Sequence, residues 1–203
     1  MRKRLVLFLL FASVAAAGVR AADSTAAPTW KIDHAHSKIG FRVTHLMISR
    51  VEGRFGDYDA VIDFRPEDLE ISSAKVTITA SSINTENENR DNDLRSPHFF
   101  DVEKYPKITF VSKKVTRTGD KTFTLAGDLT IRDSTKEITL QGTLNGPIDV
   151  PWGGQRAGIS LLGTINRQDF GVSWNKTLDN GGLVVSDEVT LDIELELARP
   201  AES

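Results

Sequence analysis

The chain has 203 residues, of which 25 are Lys or Arg and 28 are Asp or Glu, and it has no cysteine. The lack of cysteine excludes disulfides, thiol nucleophiles and cysteine-ligated zinc, so the fold must rely on an ordinary hydrophobic core. A chain of this length can supply such a core as one domain.

The first residues have the three parts of a secretory signal peptide. A basic start over Met1 to Arg4 precedes an apolar run from Leu5 to Ala17. The segment Val19-Arg20-Ala21 then resembles an A-x-A cleavage site, with cleavage after Ala21. The run is shorter than the ~20 residues that a membrane-spanning helix needs. We therefore expect a signal peptide over 1–21, a flexible lead-in over 22–29, and no stable membrane insertion.

Cleavage changes the charge balance of the protein. It removes Arg2, Lys3, Arg4 and Arg20, so that 21 basic residues face 28 acidic ones and the formal net charge becomes −7. A polyanion gains its affinity from basic side chains, so the composition predicts no nucleic-acid partner.

Alternating apolar and polar residues predict strands along most of the remaining chain. In the first strand His45 falls in phase with the apolar Phe41 and Val43. In the second strand Gly53 and Gly56 predict a bend or bulge. The predicted strands span residues 37–46, 51–64, 74–83, 107–115, 122–132, 137–144, 158–165 and 189–197, with a Gly- and Pro-rich turn over 145–155.

One polar stretch interrupts this alternation and contains the single predicted helix. Thr85 and Glu88 have the spacing of a capping box, in which each side chain satisfies a backbone N–H of the first turn. Asp91 and Arg95 are four residues apart, which predicts an ion pair on one helix face. Pro97 predicts that the helix ends just before it.

Phe99 and Phe100 are adjacent aromatic residues in this polar stretch. Aromatic side chains are usually buried, which favours a plug at one end of a hydrophobic core. The alternative interpretation is a lid or rim over a cavity.

About eight strands, short polar turns and one short helix predict a single all-β antiparallel domain, either a barrel or a sandwich. Long strands with glycines for curvature favour a barrel, because closure removes exposed edges. The interior of such a barrel is either filled by its own side chains or holds one small ligand, and periodicity does not separate these outcomes.

The histidines and their acidic neighbours carry the main suggestions of chemistry. Asp33, His34 and His36 offer metal-ligand types in one extended segment, and Asp33, His36 and Ser37 have the residue types of a hydrolase triad. No HExxH motif and no G-x-S-x-G elbow accompanies them. We therefore expect no metal, no cofactor and no catalytic residue.

Two pairs of arginine and aspartate, Arg90-Asp91 and Arg167 with Asp169, lie outside the regular alternation. The favoured interpretation is a network that ties the helix to a strand end. Alternatively, Arg90 and Arg167 hold an anionic head group at a cavity mouth, because a guanidinium binds such groups in a bidentate way.

The order and spacing of several motifs resemble the YceI-like family. The opening residues from Trp30 to His45 follow its pattern W-x-I-D-x-x-H-S-x-I-x-F-x-V-x-H. The resemblance continues to about Leu197, which predicts one domain over 30–198 and a C-terminal tail over 199–203. The further matching segments are Gly53 and Phe55, 82–85, 90–110, 127–131 and 165–171.

The family resemblance implies a lipocalin-like barrel whose apolar interior holds a long polyisoprenoid chain, usually in the bacterial periplasm. It implies a non-catalytic periplasmic binding or carrier protein for an isoprenoid quinone or a polyprenyl phosphate. The alternatives are an enzyme that acts on such a lipid through His36 or His45, and a stress-related interaction protein with a filled barrel. The sequence leaves the lipid's identity and a homodimer open.

Together, the strand phases and the resemblance predict which side chains bind the ligand. Two departures from the family pattern are the turn Arg132-Asp133-Ser134, where a glycine is usual, and Ile159, where an aromatic is common; we expect Ile159 to change the width of the cavity. The predicted ligand-binding residues are Ile39, Phe41, Val43, His45, Ile78, Phe99, Phe100, Phe110, Leu129, Ile131, Phe170, Leu191 and Ile193.

Overall fold

A computed structural model describes residues 29–177 and 182–201. The predicted signal peptide and all but the last residue of the lead-in lie outside the described residues. No helix within the described ranges is long and apolar enough to span a bilayer. The described elements are β1 Lys31–Ile32, β2 Lys38–His45, β3 Ser49–Phe55, β4 Tyr58–Asp63, β5 Ser73–Thr79, β6 Ile83–Asn84, α1 Glu88–Arg95, β7 Lys107–Arg117, β8 Thr122–Ile131, β9 Ser134–Asp149, β10 Gln155–Asn166 and β11 Val185–Arg199.

These strands form one antiparallel sheet in the order β4-β5-β7-β8-β9-β10-β11-β2-β3-β6, with β1 added beside β11. β3 and β4 are halves of one run that bends at Gly56, and β5 and β6 are halves of a second run that bends at the 3₁₀ turn Ala80–Ser82. The first two strands in this order, β4 and β5, therefore belong to the same two runs as the last two, β3 and β6. The sheet curls into a barrel in this way. Counting each bent run once and leaving out the two-residue β1 gives eight strands, which confirms the predicted all-β, lipocalin-like architecture.

The hairpin between β9 and β10 is longer than predicted. The predicted strand ended at residue 144, whereas β9 continues to Asp149, and only residues 150–154 form the turn. Residues 148 and 149 pair with Arg156 and Gln155 of β10, and the register shifts between Arg156 and Gly158. This irregularity lets the ladder continue through a Gly- and Pro-containing segment.

The start of α1 differs from the predicted capping box. Asn87 is the N-cap, and its side-chain oxygen accepts a hydrogen bond from the backbone N–H of Arg90 at 3.0 Å. Thr85 lies outside the helix, and both its backbone N–H and its hydroxyl donate to the carboxylate of Asp91. The carboxylate of Asp91 therefore binds the strand end that precedes the helix.

The predicted ion pair between Asp91 and Arg95 is wrong. Arg95 donates to the backbone carbonyls of Ser81 and Ile83, at 2.8 Å each. These carbonyls lie beside the helix because β6 precedes it in the chain. The carboxylate of Asp91 accepts hydrogen bonds from Thr85 instead. The helix ends at Arg95, as Pro97 predicts.

One edge of β3 is only partly paired. On one side its residues 49–55 pair with β2, whereas on the other side only Arg54 and Phe55 pair with β6. Residues 49–53 therefore have no strand on that side within the described part of the chain. The helix α1 packs against β6 next to this open stretch, and Phe100 lies edge-on to Phe55 with ring centroids 6.0 Å apart.

Candidate ligand-binding site

The barrel contains an apolar cavity of about 370 Å³. Ligand pockets in proteins commonly measure about 300–1,000 Å³. Alternate residues of the strands supply the wall, because every second side chain of a strand points to the same face. The charged or hydrogen-bonding side chains on the wall, apart from Trp174, are His45, Thr85, Arg90, Asp93 and Arg167.

Twelve of the thirteen predicted ligand-binding residues line this cavity. Phe170 does not line it: this side chain is 1 % exposed and is packed in the core at the end of the 3₁₀ turn Arg167–Phe170. The family resemblance, and not a strand phase, predicts Phe170 as a ligand contact, and a sequence motif does not show which way a side chain in a 3₁₀ turn points. Contact with a ligand stays a prediction for the other twelve residues.

Several further residues line the cavity that the sequence reasoning missed. Val51, Ile108 and Val189 lie on the wall, and the alternation along their strands could have identified them. Trp174 had no such signal, because it lies in irregular chain after β10. It reaches the cavity beside Phe99, with ring centroids 5.3 Å apart.

Glycines opposite aromatic residues keep the wall open. Gly53 pairs with Phe41, and a methyl group on Gly53 would overlap the Phe41 ring. A methyl group on Gly127 would likewise overlap the Phe110 ring, although Gly127 pairs with Ser112 across the sheet. Each ring covers the space above a glycine on the neighbouring strand, so the two phenylalanines occupy less of the lumen than they would beside a larger residue.

Phe99 and Phe100 both contribute to the cavity and to the core. Phe99 is buried, Phe100 is partly buried, and both line the cavity. The backbone N–H of Phe100 donates to the carbonyl of Leu94, and that of Phe99 donates to the carbonyl of Ser96, at 3.0 Å each. The aromatic pair is thus held by the end of α1.

The turn that departs from the family pattern has a clear local explanation. Arg132 has φ 55°, a left-handed conformation that favours glycine. Its Nη1 donates to the carbonyls of Phe99 and Gly171 at 3.1 and 2.8 Å, and its guanidinium lies over the ring of Tyr105 at 5.3 Å. These contacts offset the backbone strain and connect three segments at the helix-bearing end of the barrel.

The second departure lies next to the cavity wall. Ile159 packs against the core and is not among the residues that line the cavity, and its effect on cavity width stays a prediction. Its partners across the sheet are Leu144 and Leu195. The aromatic position of the family pattern is therefore filled here by an aliphatic residue within packed strands.

Arg90 and Asp91 form the network that was favoured from the sequence. The Nε and Nη2 of Arg90 donate to the hydroxyl and the carbonyl of Thr85, at 2.8 Å each. Asp91 is 6 % exposed and accepts from the same threonine. Arg90 also lines the cavity, and its Nη1 has no acceptor within the described residues.

Arg167 lines the cavity, but its donors are engaged by the protein. It is 5 % exposed and donates to the carbonyls of Val172, Trp174 and Ser186 and to the carboxylate of Asp187. Burial lowers the pKa of Arg167, and the charge of Asp187 opposes that shift. Contact of Arg167 with a head group stays a prediction, whereas its role in joining the chain after β10 to β11 is visible.

The histidines lie in different settings. His45 lies at the end of β2, is half-buried, and lines the cavity, whereas the exposed His36 does not. No side-chain hydrogen bond to the His45 ring occurs within the described residues. The strand phase correctly placed His45 on the inner face, but its position at the strand end leaves it at the rim.

The Asp33 segment contains the one group of potential metal ligands found among the described residues. Ligand atoms of Asp33, His36 and Glu196 lie within 4.8 Å of one another. Arg156 lies 3.4 Å from Glu196 and would repel a cation there. The hydroxyl of Ser37 accepts a hydrogen bond from the backbone N–H of Glu196. This bond holds the hydroxyl toward β11 and not, as a hydrolase triad would require, toward the His36 ring.

Comparison with known proteins agrees with this geometry. The model of the YceI-like domain matches residues 30–197. The chain belongs to the YceI-like family. The UPF0312 protein of Staphylococcus aureus strain MSSA476 is 38% identical over 167 residues, which cover 82% of this chain and 95% of that protein. The corresponding protein of strain USA300 is 39% identical over the same coverage.

Solved structures of similar proteins have the same fold. The YCEI protein of Campylobacter jejuni is 39% identical, with a TM-score of 0.68 over 82% of this chain and 95% of that one. BcnA of Burkholderia cenocepacia is 25% identical, with a TM-score of 0.71 over 82% and 99% of the two chains. A polyisoprenoid binding domain from Saccharophagus degradans, 16% identical, shares the fold with a TM-score of 0.62 over 85% and 99%.

Gly53→Ala is expected to reduce ligand retention. The added methyl group forces the Phe41 ring toward the lumen and costs about 1–3 kcal/mol of stability. Gly142→Ala is the matched control, because its methyl group would overlap Phe123 and neither residue lines the cavity. Both variants should melt earlier, but only Gly53→Ala should lose ligand per folded molecule; equal retention in the two would refute the role of Gly53.

The titrations of the exposed His36 and its neighbour Asp33 should depend on each other. A hydrogen bond to Asp33 raises the pKa of His36, and the same bond lowers the pKa of Asp33. The pair therefore stabilises the fold between these two pKa values: the Asp33 part is lost as pH falls and the His36 part as pH rises. In NMR titrations, Asp33→Asn should bring the pKa of His36 down toward its ordinary value; an unchanged His36 titration would contradict the pairing.

Proposed function

We propose that this protein is a periplasmic, non-catalytic binding or carrier protein for a polyisoprenoid lipid of the isoprenoid quinone or polyprenyl phosphate type. The observation that carries the proposal is the apolar cavity inside the barrel, whose few polar side chains come mainly from strand ends and the helix. Such a cavity matches an amphiphile with a long apolar chain and one polar end.

The fold and the family support this ligand class. The chain belongs to the YceI-like family, and the solved domain from Saccharophagus degradans that shares its fold is described as binding polyisoprenoid. The likeness to that domain rests on the fold alone, so the apolar wall of this chain's own cavity is the independent support.

The energetics favour retention of a long chain. Burial of hydrocarbon contributes roughly 0.8 kcal/mol per CH₂ group. Association costs about 4–15 kcal/mol in lost motion. Several buried isoprene units exceed this cost, so tight binding requires no strong polar contact.

Location in the periplasm is part of the proposal. The predicted signal peptide supports export, and a polyisoprenoid needs a protein that shields its chain wherever it crosses an aqueous compartment. Self-association into a homodimer stays a prediction.

The arrangement of the histidines favours binding over catalysis. A general base is normally oriented by a third group, such as a carboxylate. The His36 imidazole has such a partner in Asp33 but lies outside the cavity, and the His45 imidazole lines the cavity without such a partner within the described residues. The enzyme alternative therefore lacks an oriented base at the cavity.

Val43→Phe distinguishes an open cavity from a filled core. Val43 lines the cavity at mid-strand, so the larger ring should occupy ligand space and leave the lipid-free protein nearly as stable as before. In a filled core the same change would cost about 1–3 kcal/mol. The measurements are thermal melting of lipid-free protein and mass spectrometry of an organic extract of the purified protein.

We expect a co-purifying intact polyisoprenoid, and much less of it from Val43→Phe. A chemically converted lipid would favour the enzyme alternative. An extract without lipid, combined with a sharp fall in stability of Val43→Phe, would refute the carrier function and favour a filled barrel.

His45→Ala tests the rim of the cavity. Because the imidazole lines the cavity and has no side-chain partner in the described residues, its loss should leave the fold intact and reduce lipid retention severalfold. His34→Ala serves as control, since His34 is exposed and does not line the cavity. Retention equal to that of the unmodified protein would show that His45 contributes packing alone.

A further inference from the structure

A second, polar groove borders the apolar cavity. It measures about 470 Å³ and follows the partly paired edge of β3 toward the start of α1. Of the described residues, four belong to the walls of both spaces, namely Phe41, Val51, Thr85 and Arg90. The groove and the cavity therefore share a wall.

The groove is rich in cationic side chains. Five basic residues line it, against the acidic residues Glu52, Glu86 and Asp192. This excess is local, because the full chain carries a net charge of −3. The basic residues are Lys38, Arg42, Arg50, Arg54 and Arg90.

The basic side chains of the groove differ in how many ion pairs and hydrogen bonds they already form with other residues of the protein. Lys38 and Arg42 lie 3.5 and 3.7 Å from the carboxylate of Asp192. Arg50 and Arg54 lie four positions apart on the same face of β3, and they form no ion pair and no side-chain hydrogen bond within the described residues. Arg90 adds one free Nη1 group. The groove thus offers unused guanidinium donors beside an apolar cavity.

We infer that this groove binds the anionic head group, a phosphate or diphosphate, of a lipid whose chain occupies the cavity. The inference rests on the proposed function and selects between its two lipid types. A phosphate accepts paired hydrogen bonds from the planar guanidinium of Arg50 or Arg54, and a further bond from the free Nη1 of Arg90. A quinone ring is neutral and gains little from unpaired cations.

The open edge of β3 explains how the head group reaches the groove. Among the described residues no strand covers 49–53 on that side, and the Phe41 ring that lies over Gly53 belongs to the wall shared by the groove and the cavity. The polar end of the lipid lies at the outer surface, where water and the arginines solvate its charge, and the chain stays in the apolar interior. The charged head group is then not buried in an apolar space, and the apolar chain is not exposed to water.

The test compares ligands with the same chain and different head groups. The probes are geranylgeranyl phosphate, geranylgeraniol, a menaquinone with a geranylgeranyl chain, and inorganic diphosphate, each measured by calorimetry on the full mature protein. We expect geranylgeranyl phosphate to bind tightest, with an affinity that falls as salt is added. Inorganic diphosphate should bind far more weakly, because it lacks the chain.

The double variant Arg50→Gln with Arg54→Gln should lower the ratio of phosphate to alcohol affinity by roughly tenfold to a hundredfold, as the loss of charge-assisted hydrogen bonds predicts. Arg117→Gln, an exposed arginine that lines neither space, is the matched control and should leave the ratio unchanged. Thermal unfolding of each ligand-free variant shows whether that variant is folded.

The outcomes separate this inference from the proposed function. Equal binding of the phosphate, the alcohol and the quinone, with no effect of the double variant, would refute the head-group site and leave the carrier function intact. Inorganic diphosphate that binds as tightly as the lipid would assign the groove to free phosphate instead. Failure of every chain-bearing probe to bind would overturn the proposed function itself.

Discussion

Residues 49–53 of β3 are hydrogen-bonded to β2 on one side and, in the described ranges 29–177 and 182–201, to no strand on the other. Backbone polar groups at such an edge need either water or another part of the chain. The chain brings α1 and the loop with Phe99 and Phe100 to this side, and Thr85 joins the strand end to the helix through Arg90 and Asp91. The same incomplete pairing leaves room for both the cavity rim and the cationic groove.

An apolar barrel tends to fill its interior, because packed side chains gain contacts that a void cannot supply. This barrel retains a cavity partly because Gly53 and Gly127 lie beneath the rings of Phe41 and Phe110. Large rings thereby cover the wall without crossing the lumen. A cavity with such a wall is less favourable when empty than when it holds a hydrocarbon chain, which is consistent with a protein that keeps its ligand.

The arginines at the helix-bearing end have two different roles. Arg132 and Arg167 donate to backbone carbonyls from several segments, so their charges hold loops in place and are largely occupied. Arg50 and Arg54 lie on the exposed side of β3 and have no such acceptors within the described residues. Sequence alone cannot distinguish these roles, because the acceptors of Arg132 and Arg167 include carbonyls from distant parts of the chain, such as those of Phe99 and Ser186.

Alternation along a strand is a local property, so the sequence by itself determined the all-β class, the eight strand runs, and inward positions such as Val43 and Leu191. The motif pattern determined the family. Only the tertiary structure decided that Phe170 is packed away from the cavity, that Arg95 binds carbonyls instead of Asp91, and that β3 has an open edge beside a cationic groove. These features depend on which distant segments meet, and a periodic pattern carries no information about partners far away in the chain.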